Sequence, residues 1–167
     1  ATVSTSYKPI GDNLGNLPTS SGKVMVELAR IKPEYVTHYE AGIKTNPAEN
    51  ATLNFVVHNT HIKDYQTQVQ TAEVGVNRGY LANAEKVQGR GAELDATIRT
   101  SQHFSLYGSV AYTDAKYVSF TNAPVPLEET GGPSAFKDVS GGALPGVSKW
   151  VSSVGGEFSS KESKALG

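Results

Sequence analysis

The chain has 167 residues, 38% of them hydrophobic, with a formal net charge of −1 at pH 7 and no cysteine. A near-neutral charge, with no basic patch interleaved with aromatics, gives a nucleic-acid partner no footing. The missing cysteines remove disulfide frameworks and thiolate metal sites, and no apolar run approaches the roughly 20 residues of a membrane helix.

Six strands are predicted, over 2–8, 35–45, 51–66, 80–100, 104–119 and 147–159, and almost nothing reads as helix. Val24 to Arg30 is expected to form at most a short helical turn, stopped by Pro33. In the second strand Tyr35, Thr37, Tyr39, Ala41 and Ile43 alternate with Val36, His38, Glu40, Gly42 and Lys44. In the third, Ala51, Leu53, Phe55 and Val57 alternate with Thr52, Asn54, Val56 and His58. That phase is lost at Asn59, where Ile62 and Tyr65 stop matching Phe55, and a bulge is expected to reset it. Tyr80 to Gln88 reads as polar on both faces, as strand standing above a membrane would. Beyond it Leu94, Ala96 and Ile98 alternate with Glu93, Asp95, Thr97 and Arg99.

The fifth strand is the clearest. Phe104, Leu106, Gly108, Val110 and Tyr112 share one face, which then turns polar at Asp114 and Lys116. A period of two means a strand with a different environment on each side. An apolar face that ends on tyrosine and continues as charge describes a strand leaving a bilayer at the headgroup level. On the last strand Trp150 and Phe158 are eight residues apart. At about 3.3 Å per residue and a tilt near 40°, that is roughly 20 Å of height, close to the ~25 Å apolar band of outer-membrane barrels.

The connections alternate long, short, long, short, long. Asn46 to Asn50 and Thr100 to Gln102 are short; Pro9 to Glu34, Thr67 to Gly79 and Thr121 to Gly146 are long and rich in Gly, Pro, Ser and Asn. Consecutive antiparallel strands send alternate connections to opposite ends of a sheet. All the long loops therefore gather at one end and the tight turns at the other, the asymmetry of an outer-membrane barrel. The expected fold is an all-β, antiparallel up-and-down meander: six strands of a transmembrane β-barrel, incomplete by itself.

Several segments carry a family resemblance. Pro33-Glu34 followed by Tyr39-Glu40-Ala41-Gly42-Ile43-Lys44 resembles the PE…YE-x-G-x-K segment of TonB-dependent outer-membrane receptors. Leu53-Asn54-Phe55 running to Ile62-Lys63-Asp64-Tyr65-Gln66 resembles the next strand of that family, and Gly91-Ala92-Glu93-Leu94 the G-x-E of the strand after it. Leu144-Pro145-Gly146-Val147-Ser148-Lys149-Trp150 resembles the P-x-W at the start of a later strand. The segments come in the family's order and cover most of residues 31–158.

The resemblance implies a 22-strand barrel with a separate N-terminal plug domain, of which residues 1–167 are an internal piece without the plug. It implies the bacterial outer membrane as location. The implied partners are outer-membrane lipid, the remaining strands and plug of the parent chain, and the TonB complex through the missing N-terminal part. The implied role is energised uptake of a small nutrient, most often a ferric siderophore, with no enzymatic step and no cofactor. No leader-like segment opens the chain, and it starts at Ala1, which fits a removed leader or a piece of something longer.

No catalytic, cofactor or metal residue is assigned from the sequence, and the ligand-binding residues are unknown. His58 and His61, three apart on a strand, point to opposite faces, so one ion cannot easily take both; His38 and His103 read as lumen or turn residues. Glu93, Asp95 and Arg99 read as charges lining a wet interior rather than an acid–base pair, and Glu40 and Lys44 read likewise. Gly89-Arg90-Gly91 lacks the Lys-Ser/Thr of a phosphate loop and runs into a strand, where its glycines would let the wall bend. Asn50-Ala51-Thr52 fits a glycosylation sequon but sits at a tight turn. The loop Thr121 to Gly146, with Glu128, Glu129, Phe136, Lys137 and Asp138, is one place where ligand could be met.

The period-two pattern also allows a soluble β-sandwich or adhesin-type binding module, which would bury the Leu106/Val110 face. In a barrel wall, Tyr39, Ile43, Leu53, Phe55, Leu94, Ile98, Leu106, Val110, Trp150 and Val154 face lipid instead. Glu93, Asp95 and Glu157 then face the opposite side.

Overall fold

The period-two segments become strands whose register can be followed across the whole sheet. The computed structural model describes residues 1–13, 17, 19–20, 23–70, 79–129, 132 and 134–160. Its main strands are β1 (Thr2–Lys8), β2 (Glu34–Ala48), β3 (Ala51–Gln70), β4 (Gly79–Arg99), β5 (Phe104–Ser119) and β6 (Trp150–Phe158). They pair antiparallel in chain order as one six-stranded sheet, so β1 and β6 are its edges. This is the expected meander, open rather than closed into a barrel. A sandwich would cover the Leu106/Val110 face with a second sheet, but Leu106 is 41% and Val110 36% exposed.

The tight turns and long connections fall at opposite ends, as the alternation requires. The first turn is tighter than expected. Only Glu49 and Asn50 form it, because β2 continues through a bulge between Thr45 and Ala48. Pro47 lies in that bulge, where its missing N–H costs the ladder nothing. The two long connections that can be followed are not structureless. In the first, Gly11–Asp12 pairs with Arg30–Ile31 and Thr19–Ser20 with Lys23–Val24. The helical turn expected there is a 3₁₀ turn of three residues, Val26–Leu28. In the last, Ala123–Pro124 pairs with Phe136–Lys137. The β3–β4 connection, 71–78, lies outside the described residues.

Residues directly opposite each other in an antiparallel pair point to the same side. The register therefore settles the faces. The ten residues from Tyr39 to Val154 named above all share one face, and Glu93, Asp95 and Glu157 share the other. Tyr112 pairs with Trp150 at the upper limit of the apolar band, their rings 4.8 Å apart. Phe104 pairs with Phe158 at its lower limit.

The hairpin β3–β4 is far taller than the band. Its strands have 20 and 21 residues, whereas a tilted strand crosses a bilayer in about 9–11. The protein's core sits in this upper part, away from the band. Tyr80, Ala82, Ala84, Val87, Tyr117, Phe120 and Ala123 form it, with Leu28, Ile62, Tyr65, Val69, Val139 and Leu144 packed against it.

Two expectations change here. Tyr80 to Gln88 is not polar on both faces, because its alanines are the close-packed core contacts, Ala84 being fully buried. The loss of phase in β3 does not come from a slip at Asn59 either. The pairing with β4 keeps one register from Ala51 to Gln70. The break lies at Asp64, which has a positive φ of 53°. Across from it, Glu85 and Lys86 separate buried Ala84 from buried Val87. Alternation inverts there in both strands together, so Ile62 and Tyr65, three apart, reach the same core. A bulge does occur nearby, on β5. Lys86 pairs with Ser119 and Val87 with Tyr117, leaving Val118 as the extra residue.

Above that break the first long loop is fastened to the hairpin by buried amides. Asn13 donates to the carbonyl of Leu81 at 2.7 Å and accepts from its N–H at 2.9 Å. This satisfies an edge of β4 that no strand covers among the described residues. Gln66 donates to the carbonyls of Pro9 and Lys32, and Asn83 joins Lys32 to Asp64. Asn13→Ala would leave both backbone groups of Leu81 unpaired, at a cost of about 1–3 kcal/mol. Hydrogen exchange should show it as faster exchange at the Leu81 amide, with the Leu94 amide unchanged.

Candidate functional site

The polar face is built row by row from strand pairing. Its middle row runs Lys44, Asn54, Asp95, Ser109 and Ser153 across five strands. The two serine hydroxyls meet at 2.7 Å. Below it, Arg99 and Glu157 both stand opposite Ser105. Glu93, Asp95 and Arg99 therefore do share a face, as their spacing implies. Among the described residues none of the three forms an ion pair. They stand as separate charges along a wall.

The histidines divide between faces. His58 pairs with Glu40 and Gly91 on the polar face, while His61 pairs with Thr37 and Gln88 on the other. His38 stacks on His58 with centroids 6.1 Å apart, shares a 2.8 Å hydrogen bond with Thr60 Oγ1, and lies 3.6 Å from Glu40. Among the described residues no group of three or more His, Asp or Glu is placed to hold a metal. His103 is a turn residue, its Nδ1 donating to the Ser159 carbonyl at 2.9 Å.

Gly91 has a role the sequence reading did not give it. A Cβ there would lie 2.6 Å from His58 Nε2 and run into the Tyr112 carbonyl, so the missing side chain is what seats the imidazole. Gly155 does the same for Tyr107, whose Oη would lie 2.5 Å from an added Cβ. Arg90, between the two glycines of Gly89-Arg90-Gly91, is in mid-strand and paired with Asp114 at 3.1 Å, with no phosphate-loop geometry.

At the long-loop end the last connection folds back over the core. Leu144 and Tyr117 donate backbone N–H groups to Ala115 and Gly142. Under this fold lies a hollow of about 790 Å³ lined by Val69, Tyr117, Phe120, Val125, Glu128 and Val139, among others. That is the size of a small-molecule site. Of the loop residues considered for ligand, Glu128 lines this hollow and Phe136 lines a second one beside Asn83 and Glu85. The others are engaged within the loop. Glu129 pairs with Lys137, and Ser140 donates its backbone N–H to Asp138 at 2.8 Å. The Ser140 hydroxyl and N–H together hold the Asp138 carboxyl below its ordinary range. The apolar lining was missed because a long loop reads as solvated. The run Phe120 to Leu127, with Ala123, Pro124, Val125 and Pro126, was the signal.

With this wall in view, the comparisons with known proteins decide the family. The model of the TonB-dependent receptor-like β-barrel matches residues 1–167. The chain belongs to the TonB-dependent receptor family. Among solved structures, the copper transporter OprC is similar to it, with 17% sequence identity and a TM-score of 0.54. That similarity covers 69% of this chain and 17% of the transporter, so the match spans less than a fifth of the transporter's length. At such identity the likeness shows the fold alone. No curated protein matches the chain. Within a TonB-dependent receptor barrel, the polar and apolar faces have natural counterparts in the lumen side and the outer side of the wall.

Proposed function

We propose that this chain is a stretch of the wall of an outer-membrane receptor that takes up a scarce nutrient by energised transport, with a ferric siderophore as cargo class. The separation of faces carries the reading. An apolar band bounded by Tyr112 and Trp150 above and Phe104 and Phe158 below lies on one side, and the charges Glu93, Asp95, Arg99 and Glu157 lie on the other. Lipid cannot satisfy charge, whereas a water-filled lumen can. The long loops and the 790 Å³ hollow stand at the outer end, where cargo would first be met. The wall does no covalent chemistry in this reading. A plug, the other strands and a TonB complex are its partners, and outer-membrane lipid is its solvent.

The test is made on the receptor that carries this chain. Deleting its gene should abolish growth on a ferric siderophore as sole iron source, and the purified protein should bind that siderophore in detergent. Fractionation should place it in the outer membrane. Siderophore-independent growth together with saturable binding of a copper complex would replace the cargo class and keep the receptor. Recovery in the soluble fraction would overturn the reading itself.

A further inference from the structure

The hollow at the long-loop end and the wall beneath it share a charge sign. Tyr117 continues the polar-face positions Ser109, Ala111, Thr113 and Ala115 and pairs with Val87, so the hollow beside it stands over the polar face and not over the apolar band. Its lining is apolar, through Val69, Tyr117, Phe120, Val125 and Val139, and Glu128 is the one charged residue in it among the described residues. Glu128 is exposed and, among the described residues, pairs with no cation. Around it the connection from Thr121 to Gly146 carries Glu128, Glu129 and Asp138 against Lys137 alone, and Lys137 is held by Glu129. The wall below repeats the sign independently. From the Ser105 row up to the Thr113 row, the polar face of the six strands carries Glu40, Glu93, Asp95 and Glu157 against Lys44 and Arg99.

We propose that Glu128 is a specificity-determining residue of the receptor, and that the hollow it edges takes an uncharged ferric chelate of the trihydroxamate kind and turns away anionic ones. This selection rests on the siderophore-uptake reading given above and narrows its cargo. Iron(III) bound by three hydroxamates is neutral, because each contributes one negative charge, and its outer surface is carbon and amide. Iron(III) bound by three catecholates is a trianion, because each contributes two. An anion entering an apolar hollow gives up hydration that only cations or N–H donors can replace. Among the described residues the lining has no cation, and the Glu128 carboxylate adds a repulsion that low-dielectric walls strengthen. The neutral chelate loses little hydration and gains apolar contact with Tyr117, Phe120 and the valines. Beyond the hollow, the carboxylates of the polar face repel an anion again, so entry and passage favour the same charge class.

The test uses the full-length receptor in non-ionic detergent, titrated calorimetrically with two iron(III) chelates: a hexadentate trihydroxamate without other ionisable groups, and a hexadentate triscatecholate. The trihydroxamate should bind at least tenfold tighter, and the gap should narrow as salt is raised, since screening weakens the repulsion. Glu128→Lys should shrink the ratio of the two affinities at least tenfold, and Glu128→Gln by less. Glu49→Gln, in the tight turn at the opposite end, should leave the ratio as in wild type. A purely structural Glu128 would shift Tm or both affinities together and leave the ratio alone; that result overturns its role. Tighter binding of the triscatecholate by wild type overturns the charge class and leaves siderophore uptake standing. Failure of both chelates to bind a receptor that fractionates with the outer membrane overturns the siderophore cargo, and this selection with it. Recovery in the soluble fraction overturns the receptor reading itself.

Discussion

Expressed alone in buffer without detergent, the chain is expected to aggregate rather than run as a monodisperse monomer. A compact monomer of 17.7 kDa exposes roughly 8,000 Å², whereas this chain exposes 11,513 Å². Much of the surface is apolar: Ile43 is 66%, Trp150 67%, Phe158 71% and Val154 86% exposed. Soluble monomers rarely carry contiguous apolar patches beyond a few hundred Å². The two edges add to this. Neither β1 nor β6 has a partner on its outer side among the described residues, and unpaired strand edges recruit other chains. The core above the band is too small to offset both exposures. Size-exclusion chromatography checks the expectation, with detergent as the rescuing condition. A monodisperse monomer with a cooperative melt would mean that the chain owns a complete core, and the barrel-wall account would fail.

The second large effect is a charge placed in the band. Val110→Arg, tested in the full-length barrel refolded into vesicles, should cost about 1–3 kcal/mol, between the midplane and interface values, because Val110 lies one row below Tyr112. The register puts Val110 between Leu94 and Ser152, inside a band that ends at Tyr112 above and Phe104 below. An arginine there has no carboxylate on its own face within the band, and bending its stem toward the headgroups recovers only part of the loss. Ser109→Arg, one residue away, is the control. It enters the polar face beside Asp95 and Ser153, so its cost should be far smaller. Denaturant unfolding of the pair separates the two faces, and equal costs would sink the assignment.

The two variants also mark what was readable without a structure. Which residues alternate, where strands begin, and which ends carry the long loops all follow from nearest neighbours in sequence. A period of two fixes the face of each side chain relative to the next, and Gly, Pro, Asn and Asp mark the turns. The assignment of Leu106 and Glu93 to opposite sides is of this kind. So is the separation of His58 from His61.

Other features depended on residues far apart in the chain. The inversion at Asp64 is a backbone choice, φ 53°, that no side-chain pattern announces. It is stabilised by the core it completes, through Tyr65 on one strand and Tyr80 to Ala84 on the other. The alanines looked unremarkable because their value lies in close approach to Tyr117 and Phe120. The seat that Gly91 gives His58 joins residues 33 positions apart. The hold of Asn13 on Leu81 spans 68 positions, and the facing of Lys63 and Lys86 exists only once β3 and β4 are in register. The sequence by itself determined the strands, their faces and the crowding of long loops at one end, because those are set by local periodicity and turn chemistry. Only the tertiary structure decided where the core lies, how the loops are fastened to it and which charges meet, because each of these is a contact made after pairing.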